Sequence, residues 1–146
     1  MIRINYFAIA LLVVVAFIAS SIWYSPLMFG REFTELSGVS ASAHPNWLKI
    51  VCELIRTFVL AYVITRLVLL LNVANSKDAL RLGIWLWIGF PVILLTGSIL
   101  WQNVPWMLAA IHAGDWLIKI LLFTGTVGWW GKGRRGHARV QTADSN

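Results

Sequence analysis

The chain has 146 residues, of which 59% are hydrophobic and 12% are charged, whereas a soluble domain averages about 25% charged residues. A water-soluble globule with so few charges would expose large apolar patches, and such patches drive aggregation. The mean hydropathy of +0.75 agrees. The composition therefore excludes a disordered protein, a secreted disulfide scaffold and a conventional soluble enzyme, and it predicts a small integral membrane protein whose first partner is the lipid bilayer.

Four apolar segments are long enough to cross a bilayer, whose core of about 30 Å requires roughly 20 helical residues. They lie near residues 4–24, 47–71, 79–101 and 106–130. The first segment exceeds the hydrophobic region of a usual signal peptide, so we interpret it as a retained span. The sequence thus predicts an all-α fold in which residues 1–130 form one four-helix transmembrane domain.

The long connection after the first span predicts a short amphipathic helix in the membrane interface. Ser25 can cap this helix with Pro26 in its first position, and Gly38 can end it. The apolar side chains that share one face at helical spacing are Phe29, Phe33 and Leu36. An ordered loop packed on the bundle is the alternative. Residues 40–46 then form a linker, in which Asn46 caps the second span.

Basic residues predict that both termini are cytoplasmic. Positive charge lies at Arg3, in the middle loop with Lys77 and Arg81, and in the tail, whereas the loop between spans three and four carries no charge. Residues 131–146 are predicted to be a basic, disordered tail. Because this tail supplies four cations, the net charge of +6 does not indicate a nucleic-acid partner. The tryptophans expected at the outer interface are Trp23, Trp47, Trp101 and Trp106.

The third span contains Gly89, Phe90 and Pro91 near its middle. Proline removes one backbone hydrogen bond and clashes with the preceding turn, so the sequence predicts a kink there. Kinked helices are common in membrane bundles, and a role in packing is favoured over a gate or an ion site.

Five ionisable residues within spans two and four form the candidate functional site: Glu53, Arg56, His112, Asp115 and Lys119. Their spacing places each set on one face of its helix, and both sets lie in the outer half of the bundle. A charge at the centre of a span costs roughly 2.5–3.5 kcal/mol, so these groups must be paired or hydrated. Polar residues at the same depth are Ser20, Ser21 and Tyr24 on span one and Thr96, Ser98 and Gln102 on span three. The supporting groups expected from this set are Ser21, Tyr24, Thr96 and Gln102.

The sequence leaves the pairing open. Glu53–Arg56 and Asp115–Lys119 can pair within helices, and Glu53–Lys119 and Arg56–Asp115 can pair between them. One interpretation is a charge-neutral network that holds the helices in register; the other is a solute or ion site with His112 and the carboxylates as proton carriers. The neighbouring cations oppose a metal site. We expect no metal, no cofactor and no catalytic residue.

Small residues recur on the fourth span at Ala109, Ala110, Ala113 and Gly114. Such residues let helices approach closely, either within the bundle or at a second subunit. Because a four-helix chain rarely encloses a solute pathway alone, we expect a homo-oligomer or a complex with another membrane protein.

Two stretches carry a family resemblance: WYSPLMFG at Trp23–Gly30, and GFPVILLTGSILWQNVPWMLAAIHAGDWLIKILLFTGTVGWW from Gly89 to Trp130. With the four-span layout they resemble the domain of unknown function 1761 family of small bacterial membrane proteins. The resemblance covers roughly residues 5–130 and implies a multi-pass protein of the bacterial inner membrane. It implies no established activity and no catalytic residues. Asp115 and Lys119 depart from the family pattern, so their network is expected to be special to this branch.

Three functions follow as hypotheses. The first is a site for a solute or an ion within the outer polar network. The second is a structural or interaction subunit that docks another membrane protein. The third, ranked last, is a membrane-embedded enzyme in which His112 and Asp115 act on lipid as an acid/base pair.

Overall fold

The computed structural model describes residues 6–39, 46–73 and 75–143, with side chains as far as Trp129. These residues form helices, and no strand occurs among them. The helices are α1 (Tyr6–Trp23), α2 (Gly30–Ser37), α3 (Trp47–Leu70), α4 (Ser76–Trp87), a π-helical turn (Ile88–Val92), α5 (Ile93–Gln102) and α6 (Trp106–Ala143). The N-terminal Arg3 and most of the predicted linker, residues 40–45, lie outside the described residues. The all-α prediction is confirmed for the described part of the chain.

Three segments of the described chain are long and apolar enough to cross a membrane: Tyr6–Trp23, Ser76–Gln102 and Trp106–Trp129. The prediction of four such segments is therefore corrected. The helix α3 has the necessary length, with 24 residues, but its composition is too polar. Its charged residues are Lys49, Glu53, Arg56 and Arg66.

The long helix α6 is the centre of the fold, because each of the other helices packs against it. On one side, α1 and α3 pack on α6 and on each other around a core that includes Ile9, Ala61 and Phe123. On the other side, α4 lies against α6 at close range. A Cβ atom added to Gly83 would lie 2.6 Å from Oγ1 of Thr124, so only glycine permits this approach.

The short helix α2 confirms a helix in the first connection but corrects its start. It begins at Gly30 rather than after Ser25, because residues 24–29 form turns in which the Ser25 carbonyl accepts hydrogen bonds from the N–H groups of Met28 and Gly30. A Cβ at Gly30 would lie 2.6 Å from the carbonyl oxygen of Tyr24. Gly38 ends the helix in the left-handed conformation, with φ of 67°, as predicted.

Two further local predictions have clear outcomes. The Asn46 side chain accepts a hydrogen bond from the N–H of Leu48 and caps α3, as predicted. At Pro91 the helix widens into the π-helical turn Ile88–Val92 and then continues. A wider turn gives the proline ring room that an α-helical turn lacks, and the backbone is α-helical again at Ile93.

The helix α6 extends into the segment that was predicted to be a tail. The helix α6 continues through the basic segment as far as Ala143, and residues 144–146 lie outside the described residues. A helix that is already nucleated extends at little cost per residue. The segment 131–143 also contains no proline that would interrupt it.

Candidate functional site

Four of the five predicted ionisable residues form one connected ion network between α3 and α6. The Lys119 ammonium lies between two carboxylates, 3.0 Å from Oε1 of Glu53 and 2.9 Å from Oδ2 of Asp115. The second oxygen of Glu53 accepts from the Arg56 guanidinium at 2.7 Å. Ser20 on α1 donates its hydroxyl to Oδ1 of Asp115. The two carboxylates balance the two cations, so the network is neutral as a unit.

The network runs from a buried end to an exposed end. The side chains of Lys119 and Asp115 are 4% and 6% exposed, that of Glu53 is 30% exposed, and that of Arg56 is 58% exposed. In the described part of the protein, every buried side-chain nitrogen and oxygen has a hydrogen-bond partner. Glu53 therefore connects an interior ion pair with a cation at the surface of α3.

The fifth predicted residue, His112, lies in a separate aromatic cluster at the start of α6. Its Nδ1 is 2.8 Å from the Tyr24 hydroxyl, and the Phe33 ring of α2 meets it edge-on at 5.8 Å between ring centres. Burial raises the pKa of the Tyr24 phenol above its ordinary value, and the nearby Asp115 carboxylate raises it further. Tyr24 therefore stays protonated as the hydrogen-bond partner of His112.

Two tryptophans fix the neighbouring helices to the backbone of α6. The indole N–H of Trp23 donates to the Ile111 carbonyl at 3.0 Å, and that of Trp87 donates to the Ala113 carbonyl at 2.8 Å. Gly114 lies directly under the Trp23 ring, where a Cβ atom would meet Cη2 at 2.9 Å. The sequence left two uses open for the small residues of this span. At Gly114 they serve a neighbour within the bundle.

The supporting residues predicted from sequence divide into two groups. Tyr24 joins the site through His112. Ser21 and Thr96 do not join it, because each hydroxyl donates to the carbonyl four residues earlier in the chain, that of Phe17 or of Val92. Gln102 is exposed at the end of α5.

Two contributors were not chosen as site residues, although Ser20 was placed at the right depth. Ser20, rather than its neighbour Ser21, reaches Asp115. Trp116 lies under the Arg56 guanidinium, 5.6 Å from it, which is cation–π distance. The sequence indicated Trp116 only by its position next to Asp115 in the chain. The choice between Ser20 and Ser21 depends on the rotation of α1 relative to α6, which the sequence does not give.

The chemistry available here is that of hydrogen bonds, charge and proton exchange. Among the residues that the structure describes, no three His, Cys, Asp or Glu side chains are grouped so that they could hold a metal ion. The two network carboxylates are instead joined through an ammonium group.

The profile of a family described as "Protein of unknown function (DUF1761)" matches residues 7–128. The chain belongs to the DUF1761 family. No curated protein and no solved structure matches the chain. The DUF1761 match includes every residue of the ion network and the Tyr24–His112 pair, and it confirms the resemblance that the sequence motifs indicated.

Proposed function

We propose that this DUF1761 protein is a multi-pass integral membrane protein whose ion network is a site for an ion or a small solute, with protons carried by its carboxylates. The observation that carries the proposal is the position of Glu53. One oxygen of its carboxylate contacts the buried Lys119, and the other contacts the exposed Arg56. A proton that reaches Glu53 neutralises its carboxylate and leaves Lys119 paired with Asp115 alone. Such a change transmits an event at the surface to the interior.

The proposal includes a membrane location for α3 as a fourth, charge-compensated span. The helix has 24 residues, which is about 36 Å at 1.5 Å per residue. Pairing of Glu53 with Lys119 and Arg56 lowers the cost of its central charges, while Lys49 and Arg66 lie near its ends, where long side chains can extend to the interface. Its surface also carries exposed apolar side chains such as Ile55 and Val59.

Four spans would return both termini to one side of the membrane. The basic tail and the positive-inside rule support a cytoplasmic location for that side, and thus a bacterial inner membrane. The exposed tryptophans Trp47, Trp101 and Trp106 support an outer interface at the opposite end. Since one chain provides few helices to enclose a pathway, we further propose that it acts as a homo-oligomer.

The ion site is tested by proton flux into vesicles. Purified wild type is reconstituted with a trapped pH-sensitive dye, and the rate of internal acidification is measured after a pH jump under a clamped membrane potential. We expect a protein-dependent rate that falls at least about tenfold in Glu53→Gln and Asp115→Asn, because each removes a titratable carboxylate. Glu35→Gln, on the exposed face of α2, is the matched control and retains the rate. Equal rates in wild type and both network variants would refute the proposal.

A second candidate, docking of another membrane protein, is favoured by α5. No residue of this helix is buried, and Leu94 and Leu100 are 70% and 68% exposed. Photo-crosslinking from Leu94 tests it, with capture of one defined membrane protein as the expected result and crosslinks to lipid alone as the contrary one. An enzyme acting on lipid has less support, since His112 and Asp115 have different partners, Tyr24 and Lys119.

A further inference from the structure

We propose that Arg56 and Trp116 form a binding site for a phosphate group at the exposed end of the ion network. The inference deepens the proposed function by naming the chemistry of a ligand there, and it rests on that function because it requires α3 to lie in the bilayer. The phosphate can belong to an anionic lipid headgroup or to a soluble anion.

The Arg56 guanidinium has donor capacity beyond its internal contact. A guanidinium carries five N–H donors in a planar fork, and a fork binds a carboxylate or a phosphate best through two parallel hydrogen bonds. Here Nη2 meets a single oxygen of Glu53 at 2.7 Å. The other oxygen of Glu53 is occupied by Lys119 and, at 3.4 Å, by the Thr57 hydroxyl. Glu53 therefore neutralises Arg56 only in part.

The surroundings favour an anion that approaches from the membrane side. The Arg56 side chain is 58% exposed, whereas its neighbours on the α3 surface, Ile55 and Val59, are exposed apolar residues at 59% and 54%. A partly paired cation on an apolar surface within a bilayer is costly. An anionic headgroup removes that cost because it supplies both negative charge and hydrogen-bond acceptors.

The depth of Arg56 means that a headgroup reaches it only through an extended side chain. Arg56 lies nine residues after Trp47, about 13 Å along the helix, and its long side chain can extend toward the interface while its stem covers apolar surface. The Trp116 ring, 5.6 Å from the guanidinium carbon, forms a rigid wall on one side. Glu53 fixes one edge of the guanidinium, and the opposite edge is left to the ligand.

The test uses purified full-length protein in a neutral detergent and native mass spectrometry, which counts the lipids that each protein retains. The probes are phosphatidylglycerol, phosphatidylcholine and inorganic phosphate. We expect wild type to retain phosphatidylglycerol in preference to phosphatidylcholine, and Arg56→Gln to bind it about tenfold more weakly because one charge-assisted contact is lost. Arg66→Gln, an exposed arginine later on the same helix, is the matched control and keeps wild-type affinity.

A conservative variant guards against misfolding. Arg56→Lys keeps the charge beside Glu53 but lacks the planar fork, and we expect weaker retention with unchanged helicity. Wild-type retention in Arg56→Lys would overturn the proposal, as would equal losses in Arg56→Gln and Arg66→Gln. Competition by millimolar inorganic phosphate identifies a soluble anion as the ligand, whereas its failure to compete identifies the lipid; either supports the site.

The two proposals fail separately. Unchanged proton flux in Glu53→Gln and Asp115→Asn, together with lipid retention that depends on Arg56, refutes the proton site and leaves the phosphate site standing. Proton flux that depends on the two carboxylates, together with equal lipid retention in wild type and Arg56→Gln, refutes the phosphate site and leaves the proton site standing.

Discussion

Replacing Lys119 by methionine removes the central cation of the ion network while it keeps a side chain of similar length. In the wild-type protein the ammonium lies 3.0 Å from Glu53 and 2.9 Å from Asp115, and the Lys119 side chain is 4% exposed. The variant leaves two carboxylates facing one another across an apolar side chain. Glu53 keeps its contact with Arg56, whereas Asp115 keeps only the Ser20 hydroxyl.

The expected loss in the free energy of unfolding depends on which partners each carboxylate keeps. Breaking a buried ion pair by removing one partner costs about 3–5 kcal/mol, because the remaining charge is buried and uncompensated. Asp115, with a side chain 6% exposed, bears most of this cost. Arg56→Met removes a partner that is 58% exposed, and exposed pairs contribute only about 0–1 kcal/mol. The free energy of unfolding should therefore fall far more in Lys119→Met than in Arg56→Met.

The measurement is reversible unfolding in mixed micelles, followed by the tryptophan signal. The double variant Lys119→Met with Asp115→Asn is the control, since it removes the uncompensated charge and should recover at least half of the loss. The reasoning is refuted if Lys119→Met unfolds within about 1 kcal/mol of wild type, or if adding Asp115→Asn makes the protein less stable still.

Two other substitutions test the contacts around α6. Gly114→Ala drives a methyl group into the Trp23 ring and should lower the free energy of unfolding by about 1–3 kcal/mol. In the control Gly97→Ala the added methyl group meets nothing within 4 Å, so this variant should be neutral or more stable by up to about 1 kcal/mol. Equal stabilities of the two variants in the same unfolding assay would contradict this packing. Tyr24→Phe removes the hydroxyl bonded to His112 and should cost about 0.5–1.5 kcal/mol. The same change in a His112→Phe background should then cost less, and an unchanged cost would show that the hydrogen bond contributes nothing.

Hydrophobic length predicted the helices of this protein well, because a run of about 20 apolar residues has few alternatives to a helix. For α3 the length and the composition of the segment disagree. Length alone placed a span there, but its four charged residues make it too polar to qualify by composition. The start of α2 was also missed. Ser25 and Pro26 suit a helix N-terminus, yet the close approach of Gly30 to the Tyr24 carbonyl favours a turn that a propensity argument does not reveal.

The candidate site was predictable as a set of residues and not as a pattern of bonds. Spacing alone places Glu53 with Arg56 and Asp115 with Lys119, since residues three or four apart share a helix face, and both pairs form. The cross-helix choice of Glu53–Lys119 depends on the rotation and axial shift of α3 against α6. Those quantities are set by packing of the whole core, which periodicity in one helix does not encode.

The two faces of α6 are held by different forces, and this difference decides where the bundle can respond to a proton. Toward α4 the contact is close packing: a Cβ at Gly83 would lie 2.6 Å from Thr124, and one at Gly128 would lie 2.5 Å from Cβ of Ala79. None of these four residues is titratable, so a change of pH leaves their contacts unchanged. Toward α3 the contact includes the Glu53–Lys119 ion pair, whose strength depends on the charge of Glu53. We therefore expect protonation of Glu53 to weaken the attachment of α3 to α6 and to leave that of α4 unchanged, so any movement coupled to the proposed ion site is expected at α3.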